Sequence, residues 1–198
     1  MKKLLIMAPL FYPQKNGGGP PVSVMNLIKC IHEKFEIYVI SNNFETGQSD
    51  PLPGVTSDAW NTYSFGKVYY FGYGKNTVTN VYKLVCSIRP DVIYQNSFFS
   101  YNTALATLLY NRFHKTKAII APRGELCPGA FAMKKRKKQV YLAAAKLLGL
   151  LNRTYFHTTG DEEIQDDVGN IFLYARNRSK LMLNTVYLDS IDSKAFQR

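Results

Sequence analysis

Apolar residues follow two alternating patterns along this chain. Short apolar runs are typical of strands buried in a parallel sheet, and between them apolar residues recur every three or four positions, as on one face of a helix. The short runs predict strands at residues 3–8, 36–40, 67–71, 91–94, 117–121 and 154–158, with a further strand at 180–183. The helical spacing predicts helices at about 22–31, 77–88, 101–113, 138–151 and 161–168.

This alternation predicts an α/β fold, a single Rossmann-like doubly wound parallel sheet with helices on both faces. The 198 residues suffice for one such domain, which we place at residues 1–170, with a less regular C-terminal segment at 171–198. Residues 42–64 are polar and predict an irregular connection. Ligands of doubly wound folds bind beyond the carboxyl ends of the strands. A ligand site is therefore predicted within residues 8–21, 95–100 and 122–129.

A glycine run, Gly17-Gly18-Gly19, joins the first strand to the first helix and is followed by Pro20-Pro21. Glycines let a backbone approach a ligand closely, and proline is well tolerated in the first turn of a helix. The free N–H groups at a helix start favour anions, so the junction predicts a site for phosphate or a sugar phosphate. A plain strand-to-helix turn is the alternative.

The usual nucleotide motifs are incomplete at this glycine run. Val22 stands where the dinucleotide fingerprint requires its third glycine, and Ser41-Asn42-Asn43 follow the second strand where an acidic residue is required. No Gly-Lys-Ser/Thr follows the run, which excludes a P-loop. The sequence therefore argues against NAD or ATP bound in the usual way.

Polar side chains also follow the predicted strand at 117–121. Arg123 offers a planar fork for phosphate or sugar hydroxyls, and Glu125 can accept hydrogen bonds from hydroxyls. An ion pair between the two that orders a turn is the alternative. Pro128-Gly129 indicates a turn.

The segment after the strand at 91–94 combines amides, hydroxyls and aromatic rings. It reads Gln95-Asn96-Ser97-Phe98-Phe99-Ser100. A sugar requires hydrogen bonds at its edge and apolar contact on its face, so these residues suit a sugar. Capping of the following helix by Ser97 or Ser100 explains the hydroxyls equally well.

Cysteine, histidine and hydropathy indicate no metal, disulfide or membrane span. The three cysteines and three histidines are scattered without metal or redox spacing, so the cytosol is the expected compartment. No apolar run approaches the roughly 20 residues of a transmembrane helix. Lys2-Lys3 and the apolar residues after them resemble a signal peptide, but Pro9 interrupts that run and no cleavage site follows, which favours a first strand.

The net charge of +11 favours a polyanionic partner. Its densest part, Lys134-Lys135-Arg136-Lys137-Lys138, opens the predicted helix at 138–151, although cations at a helix N-terminus oppose the helix dipole. A solvated helix start is one interpretation, and contact of these five cations with an anionic membrane surface is the other. The run lacks interleaved aromatics, and no helix-turn-helix, zinc or RNA-recognition signature is present, so no nucleic acid is expected.

Three stretches together resemble the N-terminal, acceptor-side domain of a GT-B glycosyltransferase of the retaining family-4 group. They are Gly17–Pro20, Pro90–Ser100 and Pro122–Leu126 with its basic helix, and residues 157–163 resemble the segment near the end of that domain. The resemblance covers residues 3–168.

The resemblance implies that Gly18 and Gly19 lie close to the donor diphosphate and the acceptor. It places Arg123 and Glu125 on a substrate-facing loop. Many members have histidine where this chain has Asn96, and asparagine can orient a hydroxyl but cannot titrate. The implied substrate-binding residues are Gly18, Gly19, Asn96, Ser97, Arg123 and Glu125, with the catalytic residue unassigned and no metal or cofactor beyond the nucleotide-sugar substrate.

Family members carry a second domain that grips the nucleotide sugar through two glutamates separated by seven residues, and no two glutamates here are eight positions apart. We therefore expect one half of a hexosyltransferase-like enzyme, inactive or weakly active without the missing C-terminal domain. Its expected reaction transfers a sugar to a lipid-linked or surface polysaccharide acceptor, in the cytoplasm at the inner face of the cell membrane. The alternative is a non-catalytic α/β module that binds a phosphorylated sugar or a partner protein.

Overall fold

A computed structural model of the chain describes residues 1–159 and 179–181. Among them, eight strands form one sheet in the order β3-β4-β2-β1-β5-β6-β7-β8. The strands are β1 (Lys2–Met7), β2 (Phe35–Asn42), β3 (Trp60–Tyr63), β4 (Gly66–Phe71), β5 (Val92–Asn96), β6 (Lys117–Ala121), β7 (Thr154–Thr158) and β8 (Ser179–Leu181). All neighbours pair in parallel except β3, which runs antiparallel to β4.

Helices cover both faces of this sheet, which confirms the predicted doubly wound fold. They are α1 (Gly19–Ile31), α2 (Val78–Ile88), α3 (Tyr101–His114), α4 (Pro128–Ala132) and α5 (Lys135–Leu147). Because side chains alternate along a strand, Leu4 and Ile6 of β1 pack with Val24 and Ile28 of α1. Leu5 and Met7 point to the other face, in the cluster that includes α2 and α3. A third cluster joins α3, α5 and β6 through Leu108, Leu142 and Ile120.

One strand lies in the region that was predicted to be irregular. Trp60 of β3 packs edge-on against Tyr38 of β2 and Tyr69 of β4, with ring centroids 5.4 Å apart in each pair. Tyr69 lies nine residues away on the neighbouring strand, whereas Tyr38 is 22 residues away, and the short Trp60–Tyr63 stretch carries no apolar run that would signal a strand. Aromatic packing across the sheet, rather than a local pattern, stabilises this edge strand.

The boundaries around the basic run also differ from the prediction. Pro128 is the first residue of the short helix α4 instead of part of a turn, a position that suits proline. Helix α5 begins at Lys135, three residues before the predicted start, and ends at Leu147. Gly149, with φ 61°, ends it in a Schellman motif, since the N–H groups of Gly149 and Leu150 bond to the carbonyls of Lys146 and Ala145.

The predicted helix at 161–168 and the predicted domain boundary at 170 lie outside the described residues. The strand predicted at 180–183 overlaps β8, and its last two residues also lie outside them. Within the described part of the chain, no helix combines the length and the apolar character needed to cross a bilayer.

Candidate functional site

The sheet has a topological switch point between β1 and β5. The chain passes from β1 to β2 on one side and from β5 to β6 on the other, so a crevice opens between the carboxyl ends of β1 and β5. The loops that follow β1, β5 and β6 surround this crevice. All six residues predicted to bind substrate lie in these loops, at the start of the helix that follows one of them or, for Asn96, at the end of β5.

Two of the three glycines after β1 are restricted to glycine, for different reasons. A Cβ on Gly17 would lie 2.4 Å from Cγ of Pro21, so that position excludes any side chain. Gly18, the N-cap of α1, has φ 65° and ψ −142°, a conformation that favours glycine. Gly19 has neither restriction, and a Cβ there would meet no described atom within 4 Å. The backbone at Gly18 and Gly19 is therefore open to close approach.

A tight turn separates Arg123 from Glu125 after β6. The Glu125 N–H donates to the carbonyl of Pro122 at 3.1 Å, and Arg123 and Gly124 between them have φ of 55° and 73°. Two central residues with positive φ are the mark of a type I′ turn. The turn sends the two side chains to different partners.

Arg123 belongs to a chain of hydrogen bonds that links β5, β6 and β7. Its Nε donates to Oδ1 of Asn96 at 2.8 Å, and its Nη2 donates to the hydroxyl of Tyr94 at 3.0 Å. That hydroxyl lies 2.8 Å from Nδ1 of His157. Arginine can only donate, so the Tyr94 oxygen accepts from it, and the tautomer of His157 sets the direction of the bond between Tyr94 and Nδ1. Burial raises the pKa of Tyr94 although the Arg123 charge opposes this, so the Tyr94 hydroxyl is neutral at physiological pH.

Glu125 holds the loop that follows β5. Its Oε1 accepts from the Ser97 hydroxyl at 2.6 Å, and its Oε2 accepts from the backbone N–H groups of Phe98 at 2.5 Å and Phe99 at 3.2 Å. Burial raises the pKa of Glu125, while these donors and the Lys138 charge oppose the increase. The carboxylate is engaged within the chain and fixes Ser97, whose φ is 87°.

Neither serine caps α3 through its side chain. Ser100 occupies the N-cap position, but its hydroxyl donates to Oγ of Ser97 at 2.9 Å. The capping explanation is therefore wrong, because the Ser97 hydroxyl bonds to Glu125 and the Ser100 hydroxyl bonds to Ser97. The first N–H groups of α3 are left without a side-chain cap.

A cavity of about 300 Å³, which we call the carboxyl-edge pocket, lies beside these N–H groups. Its lining consists of Pro9, Asn42, Asn76, Ser100, Tyr101, Asn102, Thr103 and Lys137. Nδ2 of Asn76 donates to Oδ1 of Asn42 at 2.7 Å, whereas the buried Oδ1 of Asn76 has no partner among the described residues. The Lys137 amine lies 4.4 Å from the ring centroid of Tyr101. The pocket is thus lined by a cation and a helix N-terminus, and Asn76, one of its lining residues, holds a buried acceptor without a described partner.

Sequence reasoning missed much of this pocket and of the hydrogen-bonded chain. In the sequence, Asn42 stands where the dinucleotide fingerprint requires an acid, nothing marks Asn76, and His157 is one of three scattered histidines and the first residue of the segment 157–163. Asn42 ends β2 and therefore lies at the carboxyl edge of the sheet, where ligands of this fold bind. Nothing local distinguishes Asn76, which comes to the pocket through its bond to a residue 34 positions away.

The basic run divides into two groups. Lys134, Lys135 and Arg136 are exposed, and Lys137 lines the pocket. The Lys138 amine is directed inward, where it donates to the carbonyl of Ala130 at 2.7 Å and lies 4.6 Å from the ring centroid of Phe99. In the described part of the chain, no group of histidine, cysteine and acidic side chains is arranged to hold a metal.

Comparison with known proteins supports the fold. No protein-family model matches the sequence, and no curated protein matches it. The structure is similar to UDP-GlcNAc 2-epimerase from Methanocaldococcus jannaschii, with a TM-score of 0.50, 14% identity, and coverage of 91% of this chain and 45% of that chain. A further match is L-threonine 3-dehydrogenase from Trypanosoma brucei, with a TM-score of 0.38, 18% identity, and coverage of 61% and 36%. The epimerase has a GT-B-like fold, so the chain shares the Rossmann-like α/β fold of a protein of which it spans less than half.

Proposed function

We propose that this chain forms the acceptor-side domain of a GT-B glycosyltransferase, which transfers a sugar from a nucleotide-sugar donor to a lipid-linked or surface polysaccharide acceptor. The carboxyl-edge pocket carries the proposal, because it combines hydrogen-bonding amides, a cation and an uncapped helix start at the switch point. The shared fold with an enzyme named for a UDP-sugar supports a nucleotide-sugar substrate.

The pocket suits a sugar that carries an anionic group. Oδ1 of Asn76 is a buried acceptor without a described partner, and a sugar hydroxyl that donates to it would satisfy that acceptor. The first N–H groups of α3 and the Lys137 amine favour a phosphate on the same molecule. We assign binding and orientation of the acceptor to these groups.

The donor diphosphate is assigned to the opening beside Gly18 and Gly19. A Cβ at either position would meet no described atom within 4 Å, so a phosphate can approach the backbone at the start of α1. The residues that would neutralise the leaving diphosphate are assigned to a second domain, and we expect this chain alone to turn over slowly. Asn96 and Glu125 act indirectly, because they hold Arg123 and the loop after β5.

The test is a titration of the full chain, observed by NMR of its backbone amides. Hexose phosphates should change the chemical shifts of the backbone amides near residue 76 and at 100–103. Asn76→Leu and Lys137→Met should each weaken that binding about tenfold, since each removes one hydrogen-bonding or charged group from the pocket. Lys34→Met, at an exposed lysine just before β2, should leave it unchanged.

A second titration with UDP-sugars tests the donor assignment. Gly19→Ala should weaken UDP-sugar binding and leave hexose phosphate binding intact, because its methyl group would fill the open space. Hexose phosphate binding without any UDP-sugar binding would favour the non-catalytic module instead. Shifts that bypass the pocket, or rapid UDP-sugar hydrolysis by this chain alone, would contradict the half-enzyme proposal.

A further inference from the structure

Helix α5 exposes apolar side chains on the face opposite to its packed face. With about 3.6 residues per turn, Tyr141, Leu142 and Ala145 share the inner face, and Leu142 and Ala145 are buried. The opposite direction is taken by Arg136, Val140, Ala143 and Leu147. We call these four residues the α5 outer face. Val140 is 70% exposed and Leu147 is 89% exposed.

Cations border the α5 outer face, and no acidic residue interrupts it. Lys134 and Lys135 lie at its start and Lys146 lies beside its end, and all three are exposed. The sequence contains no aspartate or glutamate between residues 126 and 160. Lys134 and Lys135 also stand at the positive end of the α5 dipole, so the helix itself does not relieve their field, whereas Lys146 lies in the last turn.

We infer that the α5 outer face docks on an anionic lipid bilayer, with α5 lying in the plane of the interface. Val140, Ala143 and Leu147 enter the boundary between headgroups and acyl chains, and the bordering cations contact the anionic headgroups. A helix with an apolar face and a lysine- and arginine-rich border has the composition of an interfacial helix. A nucleic acid would neutralise the cations but would leave Val140 and Leu147 exposed to water, so the bilayer is the better match.

This surface differs from a simple five-cation contact. The Lys138 amine is bonded inside the domain, and Lys137 lines the carboxyl-edge pocket. Membrane affinity is therefore assigned to Lys134, Lys135 and Arg136 together with the apolar residues of α5. The inference does not depend on glycosyl transfer, since it rests only on the exposure and charge of α5.

Sedimentation of the full chain with vesicles tests the electrostatic part. We expect binding to vesicles of phosphatidylcholine and phosphatidylserine in a 70:30 ratio at about 0.1 M salt, weak binding at about 0.5 M, and none to phosphatidylcholine alone. Each cation near an anionic surface corresponds to roughly a fivefold change in affinity. Lys135→Gln/Arg136→Gln should therefore lower the partition coefficient about 25-fold, and the control Lys115→Gln/Lys117→Gln, at exposed lysines on the opposite edge of the sheet, should leave it unchanged.

Insertion of the apolar residues is tested separately. Val140→Ser/Leu147→Ser should reduce binding at both salt concentrations, whereas Phe113→Ser, at an exposed residue on α3, should not. In a Trp60→Phe background, the fluorescence of Leu147→Trp should shift to the blue with anionic vesicles and be quenched by brominated lipid. Phe113→Trp in the same background should show neither effect.

Several outcomes would overturn the inference. They are absence of binding to anionic vesicles, equal losses in the control variants, or a Leu147→Trp signal that brominated lipid does not quench. Steeply salt-dependent binding to a duplex oligonucleotide without vesicle binding would assign the cations to nucleic acid instead. Protein capture that persists in Lys135→Gln/Arg136→Gln but not in Val140→Ser/Leu147→Ser, again without vesicle binding, would assign the face to a protein partner.

Discussion

Glu125 organises the loop that leads into α3. Its carboxylate accepts from one hydroxyl and two backbone N–H groups of the loop after β5, so this single side chain fixes the entry to α3. Arg123, two residues earlier, is held instead by Tyr94 and Asn96 on β5. The type I′ turn that contains Arg123 and ends at Glu125 explains why these two charged side chains, two residues apart, bond to different partners.

The pH dependence of stability tests the environment of Glu125. Burial raises its pKa above the ordinary value of 4.5, so between that value and the raised pKa the folded chain holds a proton that the unfolded chain has released. Rising pH in this range therefore favours unfolding. We expect Glu125→Gln to gain free energy of unfolding relative to the native chain as pH rises from about 4 to about 7. Urea titrations at constant ionic strength measure this difference.

The exposed Glu33 provides the matched control for that experiment, because Glu33→Gln changes the same functional group outside the site. The opposite trend is a rise in the free energy of unfolding of the native chain relative to Glu125→Gln as pH rises. It would mean that the three donors lower the pKa of Glu125 by more than burial raises it.

Two helices begin beside the carboxyl-edge pocket, and they begin differently. Thr77, the N-cap of α2, accepts from the N–H of Asn80 at 3.2 Å, whereas Ser100 of α3 makes no such bond. The start of α2 is thus capped by a side chain, whereas the first N–H groups of α3 have no side-chain cap. Asn76 directly precedes the α2 cap, so the cap also orders one wall of the pocket.

Removal of the α2 cap should measurably destabilise the domain. We expect Thr77→Ala to lower the free energy of unfolding by about 1 kcal/mol, because the Asn80 N–H loses its acceptor. Thr79→Ala, at an exposed position in the first turn of the same helix, should be neutral or slightly stabilising. Urea unfolding of the two variants measures the difference, and equal stabilities would show that the Thr77 bond contributes nothing.

The whole molecule is built around β1, which has parallel neighbours on both sides and helices on both faces. Helix α5 follows β6 and therefore starts at the carboxyl edge of the sheet. Lys137 lines the pocket there, and Arg136 beside it belongs to the α5 outer face. If α5 lies on a bilayer, the pocket opens close to the headgroups, where a lipid-linked acceptor would be presented.

A pair of leucine variants tests this division between the core and the docking surface. Leu5 is fully buried at the centre of the sheet, and we expect Leu5→Ala to cost about 2–5 kcal/mol of the free energy of unfolding. Leu147, 89% exposed, should tolerate Leu147→Ala within about 0.5 kcal/mol. Denaturant unfolding provides both values. A large loss for Leu147→Ala would show that α5 packs through this face and would argue against docking.

The fold was largely predictable because its signals are local. Parallel strands that are buried on both faces appear in the sequence as short apolar runs. Amphipathic helices appear as apolar residues that recur every three or four positions. The prediction failed at β3, where Trp60 is stabilised by Tyr38 and Tyr69 across the sheet. The predicted helix at 138–151 also extends four residues beyond the end of α5 at Leu147, because the apolar spacing continues past Gly149.

The candidate site was predictable only as a location. The switch-point rule directed attention to the segments after β1, β5 and β6, and the structure joins four predicted residues in two bonded pairs, Asn96 with Arg123 and Ser97 with Glu125. Whether any of the six touches a substrate stays a prediction. The pairing itself could not be read from the sequence, because the partners are 27 and 28 residues apart.

The sequence by itself determined the order of the strands and helices other than β3 and α4, the glycine junction at Gly17–Gly19 and the cluster of positive charge at the start of α5. Each is a property of neighbouring residues, so the chain carries it into any fold. Only the tertiary structure decided that Gly17 is required by Pro21, that Asn76 and Lys137 line one pocket, and that α5 turns Val140 and Leu147 outward. Those outcomes depend on which distant segments the sheet brings together.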